Sequence, residues 1–174
     1  MDELSLHILD IARNSLEASA ALVEIGIDEA PERLVVTIAD DGCGMSEEAL
    51  KNAPLPGFTT KRGGRGLGLA SIKLACELSG GELTVSSKAG KEHHTLVRAS
   101  FGQNRQRLGD IISTIVTLVN RAGKSDIVFT HRKADLCVSL DTREVRGVLG
   151  EDIPLSSPEV LGWIKNELRT QYSQ

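Results

Sequence analysis

The sequence predicts an α+β fold for its first hundred residues, because a helix followed by a pair of strands occurs twice. An amphipathic pattern over residues 4–20 predicts a helix, and alternating apolar residues at 22–28 and 34–38 predict a hairpin after it. A second helix begins at residue 67, stops at Gly80-Gly81 and precedes predicted strands at 82–87 and 95–101. Helices alternating with strand pairs are typical of a layered α+β domain.

The segments between and after these units predict two domains, residues 1–103 and 104–174. Ser46 caps a short predicted helix ending near Asn52, and residues 53–66 read as a loop. A polar linker at 103–107 leads into a helix, a hairpin around Lys133-Ala134-Asp135 and a last helix. Ser156-Ser157-Pro158-Glu159 opens that last helix with a capping box and an early proline.

Composition narrows the range of functions. The 174 residues carry a net charge of −4 and five aromatic residues, which argues against nucleic acid as a partner. The three cysteines lack zinc-ligand spacing, so they are predicted to be reduced thiols. No apolar run is long enough to cross a bilayer, and the first residues are not a basic signal-peptide start. We therefore expect a cytoplasmic protein without a membrane segment.

Three patches carry residue types suited to binding a phosphorylated ligand. On the first helix, Asp10, Asn14 and Glu17 share one face and offer oxygen ligands of the kind Mg²⁺ prefers. A solvated helix face would carry the same residues. Asp40, at a strand end, suits an exocyclic amine, while Gly42 and Gly44 permit close approach to a flat ring, although a β-turn uses the same letters.

The third patch, residues 58–69, combines three cations and four glycines and runs directly into a helix start. Free N–H groups there form a phosphate cradle, and the basic side chains supply the local positive charge; a flexible basic linker is the alternative. The spacing matches neither a Walker A loop nor a Rossmann fingerprint. Thr95 offers a hydroxyl to a base edge or a water, although a strand threonine needs no function.

Taken together, these patches resemble the four nucleotide-binding boxes of the histidine-kinase-like ATPases, which include gyrase, mismatch-repair, heat-shock-90 and histidine kinase ATP-binding domains. The resemblance covers residues 7–101 and is strongest to the sensor histidine kinase branch. It implies a two-layer α/β sandwich, with a mixed sheet covered by helices on one face, and implies ATP and Mg²⁺ as cofactors.

The resemblance also assigns roles by position. It implies that Asp10 is the catalytic acid/base group, one methylene shorter than the glutamate of hydrolytic relatives, that Asn14 is the Mg²⁺ ligand and that Asp40 reads adenine. The remaining implied ATP-binding residues are Gly42, Gly44, Met45, Lys61, Gly64, Arg65, Gly66, Leu67, Gly68, Leu69 and Thr95. Because the first box begins close to Met1, we expect no phosphoacceptor hairpin and no autophosphorylation by this chain alone.

The leading hypothesis is an ATP- and Mg²⁺-binding regulatory protein, acting as a switch or as a kinase on a partner protein. The alternative is a non-catalytic interaction protein with a vestigial nucleotide pocket. Residues 104–174 are predicted to be a docking or homodimerisation module, because their first helix has an apolar face that must be covered. Packing of that helix on its own hairpin would also cover this face.

Overall fold

A computed structural model describes residues 3–58, 68–88 and 94–174 of the chain. Six helices and six strands lie in these ranges. The helices are α1 (Leu4–Glu17), α2 (Glu47–Asn52), α3 (Gly68–Leu78), α4 (Ile111–Arg121), α5 (Thr142–Leu149) and α6 (Pro158–Tyr172). The strands are β1 (Leu22–Glu29), β2 (Leu34–Asp40), β3 (Leu83–Lys88), β4 (His94–Phe101), β5 (Asp126–Lys133) and β6 (Leu136–Asp141).

The strands form one mixed sheet in the order β3-β4-β2-β1-β5-β6. β1 pairs parallel with β5, and the other four neighbouring pairs are antiparallel. Ile25 on β1 lies between Ile38 of β2 and Phe129 of β5, so the register places three large apolar side chains in one row. This mixed sheet confirms the predicted architecture.

One face of the sheet carries the core. On β1, Val23, Ile25 and Ile27 are buried whereas Glu24 and Asp28 are exposed, as expected for a strand covered on one side. The helices pack on the buried side, α1 against β1 and β2 and α3 against β3 and β4. Each fully buried aliphatic side chain contributes roughly 1.5–3 kcal/mol. The result is the predicted two-layer sandwich.

Residues 104–174 extend this sheet and its core. β5 and β6 continue the sheet beyond β1, and α4 packs against α1, β5 and α6. The apolar face of α4, with Ile111, Ile115 and Leu118, is buried inside the chain. That face is therefore covered by more than its own hairpin. The domain division at residue 103 and the docking or dimerisation role remain predictions.

Two local features differ from the sequence analysis. Helix α5, which was not predicted, begins after Asp141, whose side chain accepts a hydrogen bond from the Arg143 amide. It is only eight residues long, and its apolar residues Val145, Val148 and Leu149 cover little more than one turn, which is too short a run to predict a helix. The predicted capping box also shifts by one residue. Ser157, rather than Ser156, caps α6 and accepts from the Val160 amide, so Glu159 is not at the capping-box position.

No helix in the described ranges combines the length and the apolar character needed to cross a bilayer.

A buried polar network holds the end of α6 against the sheet. The side chain of His131 on β5 is 4% exposed, with its Nε2 lying 3.1 Å from a Glu29 oxygen and its Nδ1 2.7 Å from the Tyr172 hydroxyl. Burial lowers the pKa of His131, against the opposing effect of Glu29. A neutral imidazole therefore donates from Nε2 to the carboxylate and accepts from Tyr172 at Nδ1.

Two glycine substitutions should have opposite effects on stability. Gly162 lies inside α6 with open space where a Cβ would stand, so Gly162→Ala should raise the free energy of unfolding by about 0.5–1 kcal/mol. A Cβ on Gly81 would overlap the Ser100 carbonyl, so Gly81→Ala should destabilise the protein. Urea unfolding measures both, and a Gly81→Ala variant as stable as the wild type would contradict this packing.

The buried His131 should make stability depend on pH. Because its folded-state pKa lies below the unfolded value of about 6.5, the unfolded chain takes up a proton first as the pH falls. The network therefore stabilises the fold above about pH 6.5, and this contribution is lost as the pH falls below that value. We expect urea unfolding of His131→Gln to show a flatter stability profile between about pH 7.5 and 5.5 than the wild type.

The exposed His94 provides the matched control for that experiment. In His94→Gln the free energy of unfolding should depend on pH as it does in the wild type. If it also did so in His131→Gln, His131 would not titrate as described.

Candidate functional site

The centre of the site is Asp40, the last residue of β2. Its Oδ2 accepts a 2.6 Å hydrogen bond from the Ser15 hydroxyl on α1, and its Oδ1 accepts a 2.9 Å bond from the Gly42 amide. Ser15 is 5% exposed, so this contact joins helix and sheet inside the protein. A carboxylate has about four acceptor positions, so Asp40 keeps capacity for a further N–H donor.

Close contacts around residue 42 explain why a glycine stands there. A Cβ at this position would stand 2.9 Å from the Ala18 carbonyl oxygen and 3.0 Å from Asp40 Oδ1. The Cys43 amide donates to the same Ala18 oxygen at 3.1 Å, which ties the loop to the end of α1. Gly44 follows in the left-handed region, with φ at +66°. Gly42 thus lies close to the end of α1, and its approach to a ligand ring stays a prediction.

Thr95 lies beside Asp40, because these two residues face each other in the pairing of β2 with β4. The Thr95 and Ser87 hydroxyls are 2.8 Å apart, and the Met45 amide donates to Ser87 Oγ at 2.8 Å. Three segments therefore meet at Asp40: the end of β2, the loop that follows it, and the paired ends of β3 and β4. The sequence analysis predicted Met45 and Thr95 for this site but did not identify Ser87, which joins them.

The start of α3 lies against the polar face of α1. A Cβ built on Gly68 would be 3.7 Å from Asn14 Nδ2 and 3.9 Å from Asp10 Cβ. Gly68 and Leu69 therefore bring the first turn of α3 next to the predicted Mg²⁺ ligand and the predicted acid/base group. The other predicted phosphate-binding residues, Lys61, Gly64, Arg65, Gly66 and Leu67, lie outside the described residues.

Asp10 is not an isolated carboxylate. Arg13 Nη2 lies 3.2 Å from Asp10 Oδ1, and Arg13 Nε lies 3.7 Å from a Glu17 oxygen. The side chain of Asp10 is 31% exposed, so solvent reaches the pair. The sequence analysis grouped Asp10 and Glu17 as oxygen ligands on one face and did not identify Arg13 between them. Arg13 thus forms an ion pair with Asp10 on the surface of α1.

Within residues 3–58, 68–88 and 94–174, no group of three or more His, Cys, Asp or Glu side chains is placed to hold a metal ion. Mg²⁺ is usually bound in phosphate-transfer sites by one or two protein groups, with substrate phosphates and water completing the shell. Asn14, whose side-chain Nδ2 lies next to the start of α3, carries one amide oxygen of the kind that such a site uses.

The contacts described above define a site with two ends. Asp40, Thr95 and Ser87 form a polar end at the strand termini, suited to the N–H and acceptor groups of a base. Asn14, Asp10 and the start of α3 form the other end, where backbone N–H groups and the helix dipole favour an anion. This arrangement fits a nucleotide, with its base and phosphates at opposite ends.

Comparison with known proteins agrees with this geometry. Residues 2–105 match the family model described as histidine kinase-, DNA gyrase B-, and HSP90-like ATPase. Among curated proteins, the chain is similar to the sensor protein DegM of Bacillus sp. strain B21-2, with 37% identity over 87 residues, 48% of this chain and 23% of DegM. Sporulation kinase C of Bacillus subtilis is 33% identical over 92 residues, 52% of this chain and 22% of that kinase.

Sensor histidine kinase ZraS of Salmonella typhimurium is 32% identical over 93 residues, 52% of this chain and 20% of ZraS. The chain thus spans about a fifth of the length of the curated relatives it matches.

A solved structure, the N-terminal domain of a DNA repair protein, superposes with a TM-score of 0.54 at 13% identity, covering 81% of this chain and 52% of that one. At this identity the likeness concerns the fold alone, and its coverage exceeds the segment matched by the family model. That family match covers more than half of the chain and includes every described residue of the site. The chain therefore belongs to the histidine kinase-, DNA gyrase B- and HSP90-like ATPase family.

Proposed function

We propose that this protein binds ATP with Mg²⁺ and is a nucleotide-dependent regulatory module for a partner protein. It either transfers the γ-phosphoryl group to that partner or hydrolyses ATP slowly as a switch. The observation that carries the proposal is the Asp40 carboxylate, held by Ser15 and Gly42 at a strand end. The sensor proteins and kinases to which the chain is similar support a signalling role. A second copy of this chain is one candidate partner.

The base would be held at the polar end of the site. Asp40 accepts a hydrogen bond from the exocyclic amine of adenine through the acceptor positions that Ser15 and Gly42 leave open. Thr95, linked to Ser87, offers a hydroxyl next to it. The loop carrying Gly44 and Met45 borders the same end, because Met45 is bonded to Ser87. Adenine is favoured over guanine, since the 6-oxo group of guanine would face a carboxylate.

The phosphates would lie at the start of α3. Gly68 and Leu69 offer backbone N–H groups there, and Asn14 offers its amide oxygen to the metal. Lys61, Gly64, Arg65, Gly66 and Leu67 are proposed to continue this phosphate site on the strength of their sequence pattern. When bound, Mg²⁺ offsets the negative charge of the phosphates and ATP supplies a transferable γ-phosphoryl group.

Asp10 would handle the proton of the attacking group. The nucleophile, water or a partner's side chain, forms a bond to the γ-phosphorus while the bridging bond to the β-phosphate breaks and ADP leaves. Asp10 accepts the proton lost by the nucleophile, and Arg13 forms an ion pair with its carboxylate. An acceptor residue from a partner makes the protein a kinase, and water makes it an ATPase.

We propose a cytoplasmic location, where this nucleotide is available. Cys43, Cys76 and Cys137 are all free thiols, which suits a reducing compartment.

Replacing Asp40 should remove nucleotide binding without unfolding the protein. Asp40→Asn substitutes an N–H donor for one acceptor oxygen, so it should raise the Kd for Mg-ATP at least tenfold, about 1.4 kcal/mol. Calorimetric titration measures this Kd. Asp41→Asn is the matched control, because the exposed Asp41 is the next residue along the chain and accepts from the Leu22 amide, and it should keep the affinity of the wild type.

Equal Kd values for Asp40→Asn and the wild type would show that Asp40 does not bind the base. A wild-type protein that binds no nucleotide at millimolar Mg-ATP would instead support the non-catalytic interaction protein.

Replacing Asp10 should separate chemistry from binding. Asp10→Asn keeps the shape of the side chain and removes its basicity, so turnover should fall by about 10²-fold or more, within the usual range for losing a general base. The Kd for Mg-ATP should change less than threefold, as calorimetry on the same sample would show. Phosphate release, or transfer to an added partner, measures turnover, and Glu24→Gln on the exposed face of the sheet is the control. Undiminished turnover in Asp10→Asn would eliminate Asp10 as the base.

A further inference from the structure

A second cleft lies at the other end of the sheet from Asp40. It has a volume of about 700 Å³ and is lined by residues at the end of β1, the start of β2, the segment 103–110 and the β5-β6 hairpin. Asp40 ends β2, whereas Leu34 at the start of β2 lines this cleft. The two positions are the ends of a seven-residue strand, so six residue steps of extended chain place them about 20 Å apart. The cleft is thus distinct from the candidate nucleotide site.

Part of the cleft lining is apolar. Leu108, Ile112 and Leu136 line it and are only partly buried, so they present apolar surface to the opening. The side chain of Tyr172 lies beside them and is held by its hydrogen bond to His131. Clefts of 300–1,000 Å³ with an apolar lining and a few polar groups are the usual form of small-molecule sites.

The two acidic groups in the cleft are already engaged. The Glu29 carboxylate lies 3.1 Å from Lys133 Nζ and 3.7 Å from Arg105 Nη2, in addition to its contact with His131. Burial opposes its ionisation, but Lys133 and His131 together hold the pKa of Glu29 below its ordinary value. Asp110 caps α4 and accepts from both the amide and the hydroxyl of Ser113.

Positive charge remains available to a ligand. Three cationic side chains, Arg105, Arg107 and Lys133, line the cleft against two carboxylates. Arg107 is exposed, and within the described part of the chain its side chain forms no ion pair shorter than 4.0 Å. Its backbone is fixed, since the Leu4 amide donates to its carbonyl. A positively charged group thus lies at the edge of this partly apolar cleft, with no carboxylate of the described residues within ion-pair distance.

We propose that this cleft binds a small organic anion, a molecule with an apolar body and a single carboxylate or phosphate head group. The body lies on Leu108, Ile112 and Leu136, and the head group pairs with Arg107, with Lys133 close to it. The anion does not compete with nucleotide, because none of the residues that hold the anion belongs to the candidate nucleotide site.

A fluorescence titration of the full chain with 8-anilinonaphthalene-1-sulfonate, an apolar anion, tests the proposal. We expect one saturable site whose Kd rises at least fivefold in Arg107→Gln and changes less than twofold with saturating Mg-ATP. Arg121→Gln, which removes another exposed arginine at the far end of α4, is the matched control and should bind like the wild type. Circular dichroism of both variants checks that the fold is kept.

Competition identifies the head group. Octanoate and octyl phosphate should displace the dye, whereas 1-octanol, which has the same apolar chain without a charge, should do so at least fivefold less effectively. The more effective of the two anions indicates whether the natural head group is a carboxylate or a phosphate.

Three results would overturn the proposal: no saturable dye binding, equal Kd values for Arg107→Gln and Arg121→Gln, or displacement of the dye by Mg-ATP. The last result would place the dye in the nucleotide site. Failure of the protein to bind ATP would leave the cleft proposal intact, because the dye titration does not depend on nucleotide.

Discussion

The position of β1 at the centre of the sheet is the constraint on which the rest of the structure depends. This strand is hydrogen-bonded along its length to β2 on one side and to β5 on the other. Its buried row, Val23, Ile25 and Ile27, meets the helical layer. A one-residue slip in either pairing would turn this row to solvent and bring Glu24 and Asp28 into the core. The strong penalty for such a slip fixes the register of both neighbours.

That register places a carboxylate of one of the two proposed sites at each end of β1. Val23 pairs with Asp40, so the candidate base-binding carboxylate sits at one end, next to Thr95 on the following strand. Glu29 pairs with Leu34 at the other end, where its carboxylate organises the second cleft with His131. The two sites are held apart by a rigid strand, which allows each to bind its ligand without sharing residues with the other.

Helix α1 runs between the same two regions. The Leu4 and Ser5 amides at its start donate to the Arg107 and Leu108 carbonyls, which belong to the segment lining the second cleft. Near its end, Ser15 donates to Asp40, and Ala18 accepts from the loop that follows. Two amides of the first turn thus donate to the extension, and the carbonyl of Ala18 after the last turn accepts from the loop of the candidate site. The extension therefore contributes directly to the placement of the helix that carries Asp10 and Asn14.

The sequence by itself determined the local elements and much of the candidate site, because both are encoded over short distances. Hydrophobic periodicity predicted most helices and strands, and Asp10, Asn14, Asp40 and the glycines carried the resemblance to a nucleotide-binding family. Only the tertiary structure decided that β5 joins β1 across about a hundred residues, since no local pattern specifies which distant strand will pair. It also revealed Ser15 and Ser87 as partners of the site, because a buried serine becomes informative only once its hydrogen-bond acceptor or donor is brought against it by the fold.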